Sequence, residues 1–235
     1  MSLTPNITRC QRCGTCCRKG GPTLHLEDQA LVESGRIPLK HLLTIRQGEP
    51  AFDNVTGVIA PAVTDIIKLK GMREGSHVCC FYDAGSKGCH IYGDRPAECR
   101  ALKCWDTQEI ESLYNCRRLT RRHLLSKVEG LWPLVQGHQE RCDYGHVAEL
   151  AADVKRISSA AESQKELLEL LRYDESLRQI TCEKAGLDPE MLLFLFGRPL
   201  SFTIEMFQLK LERTDQGAAL RPVGLSHQQV CYRRQ

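Results

Sequence analysis

The chain has 235 residues, a formal net charge of +3 and only 6% aromatic residues. That length can bury a full core, so its cysteines need not staple a miniature fold. The mild positive charge neither demands nor excludes an acidic partner, and the scarcity of aromatics argues against a single-strand-binding platform built on base stacking.

Taken in chain order, Leu24–Leu26 reads as a short strand leading into a helix through Glu27 and Val32, stopped at Gly35. The stretches His41–Arg46, Val55–Ala60 and Asp65–Lys70 carry β-branched residues between Gly and Pro, and read as short strands or hairpins. A helix is expected from Asp94, with Asp94 as its cap and Pro96 in its first turn. From about Thr107 the pattern turns helical, with a break at Trp132 and Pro133. Val147, Leu150, Ala151, Val154 and Ile157 share one helix face. Leu167–Leu171 continues it, and a second segment runs from about Glu175 to Lys184. Gly186 ends that segment and Asp188-Pro189 opens another. Phe207–Glu212 and Ala218–Val223 flank Asp215-Gln216-Gly217 as a β-hairpin. The expected fold is α+β and mainly helical. An irregular cysteine-rich region, 1–105, is organised by metal, and a mainly helical region, 106–235, leans on it, either within one compact domain or as a second unit.

The start, MSLTPNITRC, lacks the apolar core of a signal peptide, and the strongest apolar run, Met191–Phe196, is far too short to span a bilayer. The chain is therefore expected in the cytoplasm, with no membrane partner. There, 13 cysteines are metal ligands or redox groups before they are staples. Nine of them lie between Cys10 and Cys104. The sharpest motif is Cys10-x-x-Cys13-x-x-Cys16-Cys17. Its two-residue gaps let a loop curl so that successive sulfurs converge, as in the run that wraps a [4Fe–4S] cube, with a further ligand from elsewhere. Zinc more often uses two separated pairs. The second half is Cys79-Cys80-Phe81-Tyr82, then Cys89-His90-Ile91-Tyr92-Gly93-Asp94-Arg95-Pro96-Ala97-Glu98-Cys99-Arg100, then Cys104. Joining the halves closes a loop of roughly sixty residues, which a metal–thiolate site can offset. Arg9, Arg12, Arg18 and Lys19 crowd the first half, and Arg95, Arg100 and Lys103 the second, where they balance thiolate charge.

These residues resemble the CxxCxxCC cysteine-cluster family, which is described as zinc- or iron-chelating. The family pattern maps onto Cys10, Cys13, Cys16 and Cys17, onto Cys79 with Phe81, onto Cys89, Ile91, Tyr92, Arg95, Pro96, Cys99 and Arg100, and onto Cys104. The resemblance covers about the first 105 residues and implies Cys10, Cys13, Cys16, Cys17, Cys79, Cys89, Cys99 and Cys104 as metal ligands. Cys80 falls at a variable position and ranks below Cys79. One branch of the family resembles flagellin lysine N-methylase, but no residue here carries methyl transfer over.

Within metal chemistry the serial run and the excess of thiolates favour an iron–sulfur cluster, [4Fe–4S], over zinc. The leading function is redox or cluster-dependent catalysis, with a redox protein as partner. The competing class is a non-catalytic zinc protein whose helical part binds a partner. A third is an enzyme acting on protein or RNA, with Arg117, Arg118, Arg121, Arg122 and Lys127 on a basic helix, 117–127, contacting nucleic acid; the bland reading of that stretch is a solvated face. Cys80, Cys116, Cys142, Cys182 and Cys231 read as buried small hydrophobes or idle thiols. His90, next to a ligand candidate on a strand, is expected to point away from it and to take a structural role or to support a ligand from behind. The radical-SAM spacing, the Walker loop and the Rossmann fingerprint are absent.

Overall fold

A computed structural model describes residues 8–73, 75–156, 160–214 and 217–223. It is a mixed α+β fold, mainly helical, with small antiparallel sheets. The first helical turn is α1 (Thr15–Arg18), and a 3₁₀ turn, Leu26–Asp28, leads into α2 (Gln29–Glu33). Gly35 beyond α2 takes a left-handed φ of 73°, as a helix stop requires.

Strand β1 (Leu42–Ile45) is followed by β2 (Pro50–Phe52), β3 (Ile59–Pro61) and β4 (Ile66–Leu69). β1 pairs with β4, Leu42 opposite Leu69, and β2 pairs with β3. The strand expected over Val55–Ala60 is thus displaced: Asp53 Oδ1 accepts from the amides of Val55 (2.8 Å) and Thr56 (3.0 Å), holding those residues in the turn. Strands β5 (Tyr82–Asp83) and β6 (Gly88–Cys89) form a short hairpin.

Helix α3 (Ala97–Ala101) begins just after Pro96. Asp94 is not its cap. It lies in a 3₁₀ turn and accepts from Arg36 Nε at 2.6 Å, while the α3 amide of Ala97 donates to Asp28 Oδ1 at 2.8 Å. A side chain 69 residues away in sequence therefore satisfies that helix end.

The helices α4 (Gln108–Leu113), α5 (Arg121–Leu125), α6 (Leu131–Arg141), α7 (Tyr144–Val154) and α8 (Ala160–Ala185) follow. Trp132 and Pro133 do not break a helix; they sit in the first turn of α6, where proline has no intrahelical amide to lose. In α7, Asp143 caps the amide of His146, and Val147, Leu150, Ala151 and Val154 are buried as the periodicity predicts; Ile157 lies outside the described residues. The two segments expected within α8 are one helix of 26 residues. Its inward face carries Leu167, Leu170 and Leu171 and then the polar Asp174, Arg178 and Thr181, all buried. Those polar residues interrupt the apolar period without interrupting the helix, because each is satisfied. Asp174 accepts from His138, Arg178 and the amide of Leu200, and Arg178 donates to the carbonyls of Phe196 and Gly197. Gly186 ends the helix at φ 62°.

Two four-residue helices, α9 (Leu192–Leu195) and α10 (Leu200–Thr203), precede the paired strands β7 (Leu209–Thr214) and β8 (Gly217–Pro222). The strands pair as the sequence predicts, although Asp215 and Gln216 of the intended turn lie outside the described residues. One apolar cluster joins Leu24, Leu42, Ile67, Cys79, Tyr82 and Ile91 to Leu119, Leu125, Val135 and Phe194–Phe196. The cysteine-bearing segments are thus backed by side chains from the helical part, each worth about 1.5–3 kcal/mol when fully buried. Among the described residues no helix is long and apolar enough to cross a membrane.

Candidate metal centre

The two halves of the cysteine pattern meet through the backbone. Cys16 and Cys17 sit on α1, and the Cys17 carbonyl accepts from the amide of Cys79 at 2.8 Å. Cys79 lies in an isolated bridge with Gly71, and three residues later Tyr82 pairs across β5–β6 with Cys89. Cys99 comes from α3.

Five thiols share one neighbourhood. Cys17 feels Cys16, Cys79 and Cys89, and Cys99 feels Cys79, Cys17, Cys16 and Cys89. Burial first, and then the neighbouring sulfurs, push the Cys17 thiol up to about 12 and the Cys99 thiol well above its ordinary range. Burial, with Cys79 nearby, also raises Cys89. For Cys79 the larger influence is a hydrogen bond shared with the Cys80 thiol, with burial second; the same bond lowers Cys80. Cys17, Cys89 and Cys99 are held toward the thiol form because ionising one would put a thiolate beside its neighbours in a partly buried place. A multivalent cation removes that penalty by replacing the protons.

The donor set is all sulfur, the chemistry of zinc or iron–sulfur centres rather than of magnesium or calcium. The thiols are grouped without being drawn into coordination: Cys16 and Cys17 Sγ are 4.0 Å apart, and among the described residues no three His, Cys, Asp or Glu side chains form a ready metal-holding group.

The remaining ligand candidates lie outside the five. Cys10, Cys13 and Cys104 are exposed. Cys13 Sγ is 3.2 Å from the Thr15 hydroxyl, which holds that thiol below its ordinary range. The loop that carries Cys10 and Cys13 is nevertheless anchored to the second half. Arg12 lies over the Tyr92 ring at 4.3 Å, and Arg95 lies over the same ring at 4.0 Å. Arg18 donates to the Tyr82 hydroxyl and to the Cys13 carbonyl. Ile91 and Tyr82 are buried in the same apolar cluster as Cys79, and Cys17 and Cys89 pack against that cluster.

Behind Cys99 stands a buried polar network that the sequence did not reveal. Glu98 accepts from the amide of Thr23 at 2.6 Å and lies 3.5 Å from His25 Nε2; His25 Nδ1 is 2.7 Å from the Cys116 carbonyl. Burial alone would lower His25, but Glu98 and that carbonyl outweigh it and raise its pKa. A single glutamate beside a cysteine has no periodic signature, so only the Glu98-Cys99 adjacency could have flagged it.

Of the other cysteines, Cys142 is fully buried in a second apolar cluster with Tyr144, Val147 and Leu167. Cys80 and Cys182 are half-buried, Cys116 is exposed with its thiol donating to Ser112 O, and Cys231 lies outside the described residues. His90 is exposed. The basic stretch 117–127 is helical only over Arg121–Leu125, and Arg121 does not join a solvated face. It is 2% exposed and forks onto Asp65, because the carboxylate and the Leu195 carbonyl satisfy its donors inside the core.

Residues 9–119 match the model of the CxxCxxCC family, whose description reads "Putative zinc- or iron-chelating domain". No curated protein and no solved structure gives a significant match to the chain.

Proposed function

We propose that this chain, a CxxCxxCC protein through residues 9–119, binds a [4Fe–4S] cluster and uses it in electron transfer or in cluster-dependent catalysis. The observation that carries the reading is the convergence of Cys16, Cys17, Cys79, Cys89 and Cys99 from four separate segments with no nitrogen or oxygen donor among them. The family's description, zinc- or iron-chelating, supports a metal, and the iron–sulfur assignment rests on sulfur chemistry. Either centre needs four thiolates and eight candidates are present; the serial Cys10-x-x-Cys13-x-x-Cys16 run is what favours the cube over zinc, which more often takes two separated pairs. Four ligands would come from the five neighbouring thiols, and Cys10, Cys13 and Cys104 would complete or extend the centre.

A bound cluster would supply one-electron chemistry near this surface. The chain's own residues do the rest. Tyr82 and Ile91 hold water away from the sulfurs on the apolar side. Arg12, Arg18 and Arg95 have no carboxylate partner among the described residues, so their charge is free to balance thiolates. A redox protein would approach the exposed Cys10–Cys16 side. Zinc as a structural ion is the alternative that the same donors allow.

Metal and acid-labile sulfide analysis with a visible spectrum, on protein purified without oxygen, tests the reading. Iron with matching sulfide and broad absorption near about 400 nm supports it. Colourless protein holding zinc and no sulfide overturns the cluster and leaves the structural-zinc alternative.

A further inference from the structure

We infer that Arg18 and Tyr82 are the positioning pair of the metal centre, setting the Cys10–Cys17 loop at the distance from Cys79 and Cys89 at which both halves share one site. The inference rests on the metal-binding reading above and adds residues that hold no metal themselves.

Tyr82 is fixed by the second half of the pattern. It is 3% exposed, its amide donates to the Cys79 carbonyl at 2.9 Å, and it stands opposite Cys89 across β5–β6. Wherever that hairpin places Cys89, it places the Tyr82 phenol too.

Arg18 belongs to the first half. It closes α1, its amide donates to the Gly14 carbonyl at 3.0 Å, and its Nη2 donates to the Cys13 carbonyl at 3.1 Å. The other arm of the same guanidinium, Nη1, donates to the Tyr82 hydroxyl at 3.0 Å. One planar fork therefore grips the loop with one hand and the hairpin with the other, which a flexible ammonium cannot reproduce. No carboxylate among the described residues competes for it.

The backbone reports the same contact independently. Gly14 has a φ of 73°, and a Cβ there would lie 2.2 Å from the Tyr82 hydroxyl oxygen and 2.5 Å from the ring carbon that bears it. The loop rests directly on the phenol, and only glycine lets it come so close. Arg12 against Tyr92 adds a second attachment farther out along the loop. The hydroxyl of Tyr82 is thus both the floor under Gly14 and the acceptor for Arg18.

The test uses the full chain, with zinc as the probe, and compares Tyr82→Phe, Arg18→Ala and Arg18→Lys with wild type. Zinc affinity is measured by competition with a chromophoric chelator, and urea unfolding is followed on the metal-free proteins. Partners that orient metal ligands typically contribute 10–100-fold in affinity, so a loss on that order is expected in Tyr82→Phe and Arg18→Ala, with the metal-free midpoint unchanged. Arg18→Lys should fall with Arg18→Ala, because it keeps the charge and loses the fork. Wild-type affinity in Tyr82→Phe and Arg18→Ala overturns the inference. So does a loss of affinity matched by an equal loss of metal-free stability, which would make the pair part of the fold rather than of the site. Failure of the wild-type chain to take up metal would overturn the metal reading itself, and it would be seen before any variant is compared.

Discussion

Arg121 and Asp65 form a forked ion pair inside the core, Nε to Oδ2 at 2.7 Å and Nη2 to Oδ1 at 2.9 Å. The pair ties the start of α5 to the residue before β4, and Arg121 Nη1 adds the Leu195 carbonyl at 2.8 Å. The residue that the sequence assigns to a basic surface is therefore a structural joint.

Removing one partner of such a pair leaves the other buried and uncompensated. Arg121→Ala is expected to cost roughly 3–5 kcal/mol, whereas Arg122→Ala, at an exposed neighbour, should stay within about 0.5 kcal/mol. Urea unfolding of the two variants checks this. Equal, small effects would contradict the buried joint.

The cysteine assignments separate by position. Cys99→Ser and Cys89→Ser should lose bound metal, and Cys182→Ser should keep it. Metal content per chain is the readout. Unchanged stoichiometry in both of the first two variants would remove them from the site, and a loss in Cys182→Ser would bring the C-terminal helices into it.

His138 supplies a pH dependence with a defined sign. Burial holds its pKa down to about 4, helped by the charges of Arg46 and Arg178 and opposed by the Asp174 carboxylate. Asp174 is itself held ionised, bonded to Arg178 Nε and the Leu200 amide, so His138 meets it as the neutral Nε2–H tautomer at 2.7 Å. A depressed pKa binds protons less readily in the folded state than in the unfolded one. Its contribution is complete above the unfolded value near 6.5 and is lost as the pH falls toward 4, by roughly 3 kcal/mol in all. Nitrogen-detected NMR should find the His138 ring neutral at pH 5.5. A midpoint near 6.5 would refute the assignment.

Metal removal should act locally. The helices α7 and α8 are held by their own apolar cluster, and α8 is tied to α6 by the His138–Asp174–Arg178 network. Chelation is expected to speed amide exchange in residues 10–22 and 79–104 while leaving α7 and α8 protected. Exchange mass spectrometry reads this out, and equal loosening of α8 would show that the centre organises the whole chain.

How much could be read beforehand varies with the range of the interaction. The halt at Gly35, the buried face of α7 and the β7–β8 pairing were legible because each depends on residues a few positions apart. The continuity of α8 was not, since Asp174 and Arg178 look like a break until His138 and the Phe196–Gly197 carbonyls are brought against them. The cap of α3 is hidden from local sequence for the same reason: Asp94 is the local candidate, and Asp28 arrives from elsewhere.

By itself the sequence carried the match of residues 9–119 to the CxxCxxCC model, because serial two-residue cysteine spacing and its flanking Ile, Tyr, Arg and Pro are local features. It also determined the mainly helical character of the rest, through apolar periodicity. Only the tertiary structure decided that Cys16, Cys17, Cys79, Cys89 and Cys99 are neighbours, that Cys79 alone of them is buried, and that Arg18 reaches Tyr82. The contacts between the two halves join residues about sixty or more positions apart, and the chain closes such loops through packing and backbone pairing that no short stretch of sequence encodes.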